Sequence, residues 1–139
     1  MKVVDDRHCF GCGPENPHGL KLCFERREEE SWAEFSVPER FQSWQGIIHG
    51  GMVSLVLDEA MGWAAWHAGC PGVTGKLEVR LRQPLRVGEA VRVRARLIAT
   101  RGRLISASAY LERLADSVKV AEATASLMRV PVEISAPRS

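Results

Sequence analysis

The sequence predicts an α+β fold in which a curved antiparallel sheet wraps around one long, buried helix. Three observations predict it. Residues 46–66 (GIIHGGMVSLVLDEAMGWAAW) form a helix-like run that is apolar almost all the way round, and a helix without a broad polar face belongs in a protein interior. Two strand-like segments precede it and four follow it, with apolar and polar residues alternating. Several inner-face strand positions are small (Gly75, Ala95, Ala107, Ala109, Ala123), which lets a sheet curl closely around a thick helix.

The elements follow in order. Residues 1–19 read as an N-terminal loop, and the stretch 8–23 (HCFGCGPENPHGLKLC) is broken repeatedly by glycine, proline and asparagine. Cys9, Cys12, His18 and Cys23 give the spacing C-x2-C-x5-H-x4-C, near that of a zinc knuckle. A single C-x2-C pair is weak evidence for zinc, and the spacing better suits an ordered loop with two thiols packed inside. That reading, with no metal, is adopted. Strands are expected over 20–27 and 31–37, the second from Ala33, Phe35 and Val37 alternating with Trp32, Glu34 and Ser36. Charged residues 26–30 form the turn between them, and Pro38 ends the pair. The helix stops near Gly69, with Pro71 and Gly72 beyond as breakers.

Four strands come next. Val73, Gly75, Leu77, Val79 and Leu81 form one face of the first, opposite Thr74, Lys76, Glu78, Arg80 and Arg82. Val91, Val93, Ala95 and Leu97 line the second, and Ile105, Ala107, Ala109 and Leu111 the third. The fourth spans about 118–130, with Ala121, Ala123, Ala125 and Leu127 inward; residues 131–139 read as a loose tail. The whole of 1–139 is expected to be one domain.

Composition excludes several classes. A formal charge of +2 on 139 residues is too small to imply a nucleic-acid binder by itself, and no nucleic-acid partner is expected. The helix is nearly long enough to span a bilayer, but Asp58 and Glu59 at its centre oppose membrane insertion. No basic-then-apolar leader opens MKVVDDRHCF, so a cytoplasmic protein is expected. In that compartment four cysteines are read as reduced thiols or a metal site rather than as disulfides.

Three segments carry a resemblance over nearly the whole chain: HGGMVSLVLDEAMGWAA (49–65), GVTGKLEVRLRQPLRVGE (72–89) and CFGCGPENPHGL (9–20). The chain resembles the hotdog-fold acyl-CoA thioesterases, and most closely the branch typified by the phenylacetate-pathway (PaaI-like) thioesterases. The His-Gly-Gly followed by Asp nine residues after the histidine is the specific signal. The resemblance implies an acyl-CoA substrate, no cofactor beyond the coenzyme A it carries, and sites at the interface of a homodimer, with further assembly into a homotetramer left open. It assigns Asp58 as general base or nucleophile, the Gly50 N–H as donor to the thioester carbonyl with His49 beside it, and Thr74 as a hydroxyl that positions water. Many relatives carry Asn six residues before the histidine, where this chain has Ser43; Gln45 or Gln42 are the candidates to orient water instead.

The chemistry agrees with that assignment. Thioester hydrolysis needs donors aimed at the oxyanion and a group that activates water or attacks the carbonyl. The opening N–H groups of a helix are unpaired and sit at its positive end, and Gly50 and Gly51 let a carbonyl approach them. Asp58 lies eight residues after Gly50, about 12 Å along the helix. One chain therefore does not bring both to one carbonyl, whereas two antiparallel helices in a symmetric dimer do. Small Gly62 and Ala65 are expected to permit that approach. Glu59 is expected to pair with a basic residue, and Trp63 and Trp66 to be core. Arginines such as Arg80 and Arg82 can hold coenzyme A phosphates. The alternatives are an acyl-thioester dehydratase or hydratase, and a non-catalytic acyl-CoA-binding protein that would dispense with the carboxylate.

Overall fold

A computed structural model describes residues 1–135. The helix α1 runs from Gly50 to His67. The strands are β1 (Val3–Asp5), β2 (Glu25–Arg27), β3 (Glu30–Phe35), β4 (Gly72–Leu81), β5 (Val91–Arg101), β6 (Leu104–Arg113), β7 (Lys119–Arg129) and β8 (Val132–Ile134). Six strands form one antiparallel sheet in the order β2-β3-β5-β6-β7-β4. α1 packs against this sheet, touching β3 through β7. This is the hotdog arrangement expected.

The alternation in β5, β6 and β7 works as predicted. Val91, Val93, Ala95, Ile105, Ala107, Leu111, Ala121 and Leu127 are all at most 1% exposed. Against them lie Val56, Leu57, Ala60 and Met61 of α1, equally buried. Side chains the size of Leu57 contribute about 1.5–3 kcal/mol each when fully buried. The alanines in the sheet are what lets the helix come this close.

α1 ends as its sequence dictates. Gly69 takes φ +78°, its N–H donates to Trp66 O at 3.0 Å, and Cys70 N–H donates to Ala65 O at 3.0 Å. This double bond pattern satisfies the last carbonyls and needs a residue at ease in the left-handed region.

Three expectations change. The strand expected over 20–27 pairs only at Glu25–Arg27. Residues 20–24 instead bond back to the cysteine loop, Leu20 N–H to Phe10 O at 3.0 Å and Leu22 N–H to Gly11 O at 2.9 Å. The tail expected to be loose contains β8, which pairs in parallel with β1 inside the segment expected to be loop. Residues 136–139 of that tail lie outside the described residues. Three-residue strands carry too little periodicity to be read from sequence.

The third change concerns β4. Its register against β7 shifts between Thr74 and Lys76, leaving Gly75 as a bulge. Thr74 sits opposite buried Leu127, and Leu77, Val79 and Leu81 sit opposite Ala125, Ala123 and Ala121. Opposed residues share a face, so Thr74 joins the helix side and Val73, paired with exposed Met128, leaves it. An extra residue in one strand reverses the alternation beyond it.

Candidate functional site

The site is built on the start and the middle of α1. At the start, His49 is the N-cap: its Nδ1 accepts the Gly51 N–H at 2.9 Å, and its carbonyl accepts from Met52 N–H at 2.9 Å. A neutral imidazole that accepts at Nδ1 carries its proton on Nε2. His49 thus fixes the helix entry, and Gly51 N–H is already committed. Among the described residues, no group accepts from the Gly50 N–H. A Cβ at Gly50 would lie 2.9 Å from Leu81 Cδ1, so this end of the helix sits against the far end of β4.

Asp58 stands two turns further on. Thr74 Oγ1 donates to Asp58 Oδ1 at 2.6 Å within the same chain. The Gly75 bulge makes this possible, because it turns Thr74 toward the helix. The hydroxyl orients the carboxylate and leaves its second oxygen free of it. Asp58 and Thr74 line a cleft of about 350 Å³, together with Gly62, Trp63 and Trp66. Here the expectation is corrected: Trp63 and Trp66 are half-buried and line the cleft, with ring centroids 6.2 Å apart. Trp63 also stacks on Phe24 at 5.9 Å. Positions 58, 62 and 66 share a helix face by simple i, i+4 spacing, a signal the sequence contains. Ala65, by contrast, is 0% exposed in the core and does not lie on Asp58's face.

α1 is therefore not covered all round by the sheet. The N-terminal segment covers part of its other side. Cys9 Sγ donates to Glu59 Oε1 at 3.1 Å, so Glu59 pairs with a thiol rather than with the basic residue expected. Burial pushes the Glu59 carboxyl up to about 8, with Cys9 adding to it and a hydrogen bond from the Cys12 thiol opposing it. Cys9 is held down at about 5, first by the Cys12 thiol and then, against the cost of burial, by the Cys12 and Gly11 N–H groups and Glu59. Cys12 is pushed up because its proton is held by Cys9.

The remaining expected residues stand apart in the single chain. Ser43 and Gln45 lie exposed on the loop before α1, where Ser43 N–H bonds Ile47 O at 2.8 Å. Gln42 Oε1 accepts the Gly46 N–H at 2.9 Å and holds that loop. Arg80 lies on the sheet face away from α1, and Arg82 is paired with Glu122 at 2.6 Å; neither lines the cleft. The four-residue set Cys9, Cys12, His18 and Cys23 does not assemble: Cys23 is exposed, and the His18 N–H caps Asn16 on the surface. Among the described residues Cys9 and Cys12 gather with Glu59 instead.

No helix among the described residues is long and apolar enough to cross a membrane. No curated protein matches the chain. Several solved structures share its fold. A thioesterase superfamily protein superposes with a TM-score of 0.82 at 24% identity, over 88% of this chain and 60% of that one; the chain thus spans 60% of that protein's length. The E. coli PaaI protein from the phenylacetic acid degradation operon superposes with 0.74 at 15% identity, over 84% of each chain. A hypothetical thioesterase from Streptococcus pneumoniae TIGR4, solved with coenzyme A, superposes with 0.75 at 14% identity, over 82% of this chain and 92% of that one. Residues 45–120, which hold the helix start, Asp58, Thr74 and the strands around them, match the model of the thioesterase superfamily. With more than half of its 139 residues inside that match, and the sheet and helix arranged as described, the chain belongs to the thioesterase superfamily.

Proposed function

We propose that the protein hydrolyses acyl-CoA thioesters at a site shared by two subunits of a homodimer. One observation carries the sharing. Edge strand β4 has Thr74, bonded to Asp58, near one end and Leu81, against Gly50, at the other. Antiparallel pairing of β4 with a second β4, centred near Leu77 and Glu78, brings Thr74 of one chain opposite the partner subunit's Leu81. That pairing carries Asp58 of one chain toward the partner subunit's Gly50, and it does so twice by symmetry. The coenzyme A bound in the Streptococcus pneumoniae relative supports the substrate class.

In this reading the thioester carbonyl accepts the free Gly50 N–H at the positive end of α1. Asp58 from the other subunit, oriented by Thr74, either takes a proton from a water whose oxygen attacks the carbonyl carbon, or attacks that carbon itself and forms a mixed anhydride that water then hydrolyses. The C–S bond breaks, the thiolate leaves as coenzyme A and takes up a proton, and the acid is released. His49 is a positioning residue that shapes the helix entry. The acyl chain lies along Gly62, Trp63 and Trp66. Ser43, Gln45, Gly51, Arg80 and Arg82 remain candidates to contact substrate from the partner's side. Replacing Asp58 by Asn should lower kcat by at least about 100-fold, with the oligomeric state and circular dichroism unchanged. A fully active Asp58→Asn protein would end the reading.

A further inference from the structure

We propose that Cys9, Cys12 and Glu59 form a binding site for one thiophilic divalent cation of the zinc class. This reverses the expectation of no metal and replaces His18 and Cys23 as ligands. It does not depend on the thioesterase reading.

The donor atoms of the three residues all lie within 4.8 Å of one another. Zn–S bonds of about 2.3 Å and Zn–O bonds of about 2.1 Å at tetrahedral angles set donor–donor edges of about 3.6–3.8 Å. The Cys9 Sγ to Glu59 Oε1 separation is 3.1 Å, so an ion fits after shifts of under about 1 Å. Two sulfurs and one oxygen suit zinc rather than magnesium or calcium. All three residues line the cleft that holds Asp58, so the fourth position opens to solvent there, as in zinc sites with three protein ligands.

The loop is shaped for this gathering. A Cβ at Gly11 would lie 2.3 Å from Glu59 Cγ and 2.5 Å from Glu59 Cδ. A Cβ at Gly13 would lie 2.3 Å from Cys9 N and 2.6 Å from Arg7 O. Only glycine lets the Glu59 side chain pass over the turn and lets the turn close on itself. The Gly13 N–H to Cys9 O bond, 2.8 Å, closes the turn that carries both cysteines. Glu59 comes from the middle of α1, fifty residues away, so a bound ion ties the N-terminal segment to the helix beside Asp58.

The test uses the full chain without a polyhistidine tag, purified reduced and metal-free, then given one equivalent of Zn²⁺. Elemental analysis should find about one zinc per chain in the parent and in His18→Ala and Cys23→Ser. It should find less than about a tenth of that in the Cys9→Ser/Cys12→Ser double variant and a reduced content in Glu59→Gln. In case the double variant does not fold, Co²⁺ is added to the parent protein, where thiolate-to-cobalt charge-transfer absorption should appear. Equal zinc in the parent and the double variant would mean an adventitious metal only and would overturn the site. So would a parent that takes up no zinc, or that shows no thiolate-to-cobalt band.

Discussion

At the scale of single residues, the bond that decides most is Thr74 to Asp58. A hydrogen bond to a charged group is worth about 1.5–3 kcal/mol, and a rate falls tenfold for each ~1.4 kcal/mol. If the bond orients the reacting carboxylate, Thr74→Val should lower kcat/KM by about 10- to 100-fold, whereas Thr74→Ser, which keeps the hydroxyl, should retain most of it. Equal activity of the two variants would show that Thr74 does no more than pack. Asp58 and Gly50 were legible in the sequence because their chemistry is local: two glycines at a helix start, and a carboxylate in an apolar helix. The partner of Asp58 was legible only as a residue type. Strict alternation put Thr74 on the same face as Lys76 and away from Leu77, and the bulge at Gly75 undoes that. The partners of Glu59 were not legible at all. They lie fifty residues earlier in a loop without periodicity, and a lone C-x2-C says nothing about which distant carboxylate it will meet.

At the scale of elements, the two edges of the sheet differ in a way that sets their use. β2 is three residues long, and Glu25, Arg26 and Arg27 are all exposed. Short charged edges resist pairing with another chain. β4 is ten residues long and leaves Leu77 and Leu81 37% and 52% exposed. A long edge with apolar side chains is a template for a further strand. Because Leu77 is exposed in the single chain, Leu77→Asp should leave the fold intact and convert dimer to monomer in sedimentation, with hydrolysis lost alongside. A Leu77→Asp protein that stays dimeric would place the interface elsewhere. The strands of the sheet's middle were read correctly because ten or so alternating residues identify themselves. The short β1 and β8 were missed because their pairing joins segments 129 residues apart, Val3 with Val132, Val4 with Glu133 and Asp5 with Ile134.

At the scale of the whole molecule, the face of the sheet away from α1 carries ion pairs such as Arg92 with Glu34 at 2.8 Å, Arg94 with Glu30 at 2.6 Å and Arg82 with Glu122 at 2.6 Å. Water and salt screen pairs this exposed, so this face is a solvated surface rather than a source of stability. Under the proposed function, a second copy of the chain pairs with the β4 edge and closes the cleft beside it. The central claim proposed above, that the amide and the acid come from different subunits, is argued from the length of α1 and the two anchors on β4. It is tested most directly by mixing two inactive proteins. Asp58→Asn lacks the acid. Gly50→Pro lacks the amide hydrogen, at a first helical position where proline is tolerated and after a residue already in the extended region, with His49 at ψ 131°. Gly50→Ala, which keeps the hydrogen, serves as the control. Unfolded together and refolded at equal amounts, the two should regain about a quarter of the parent activity, since half the dimers are mixed and each mixed dimer has one intact site. No recovery above the separate variants, with mixed dimers demonstrably present, would place acid and amide in one chain and contradict the account.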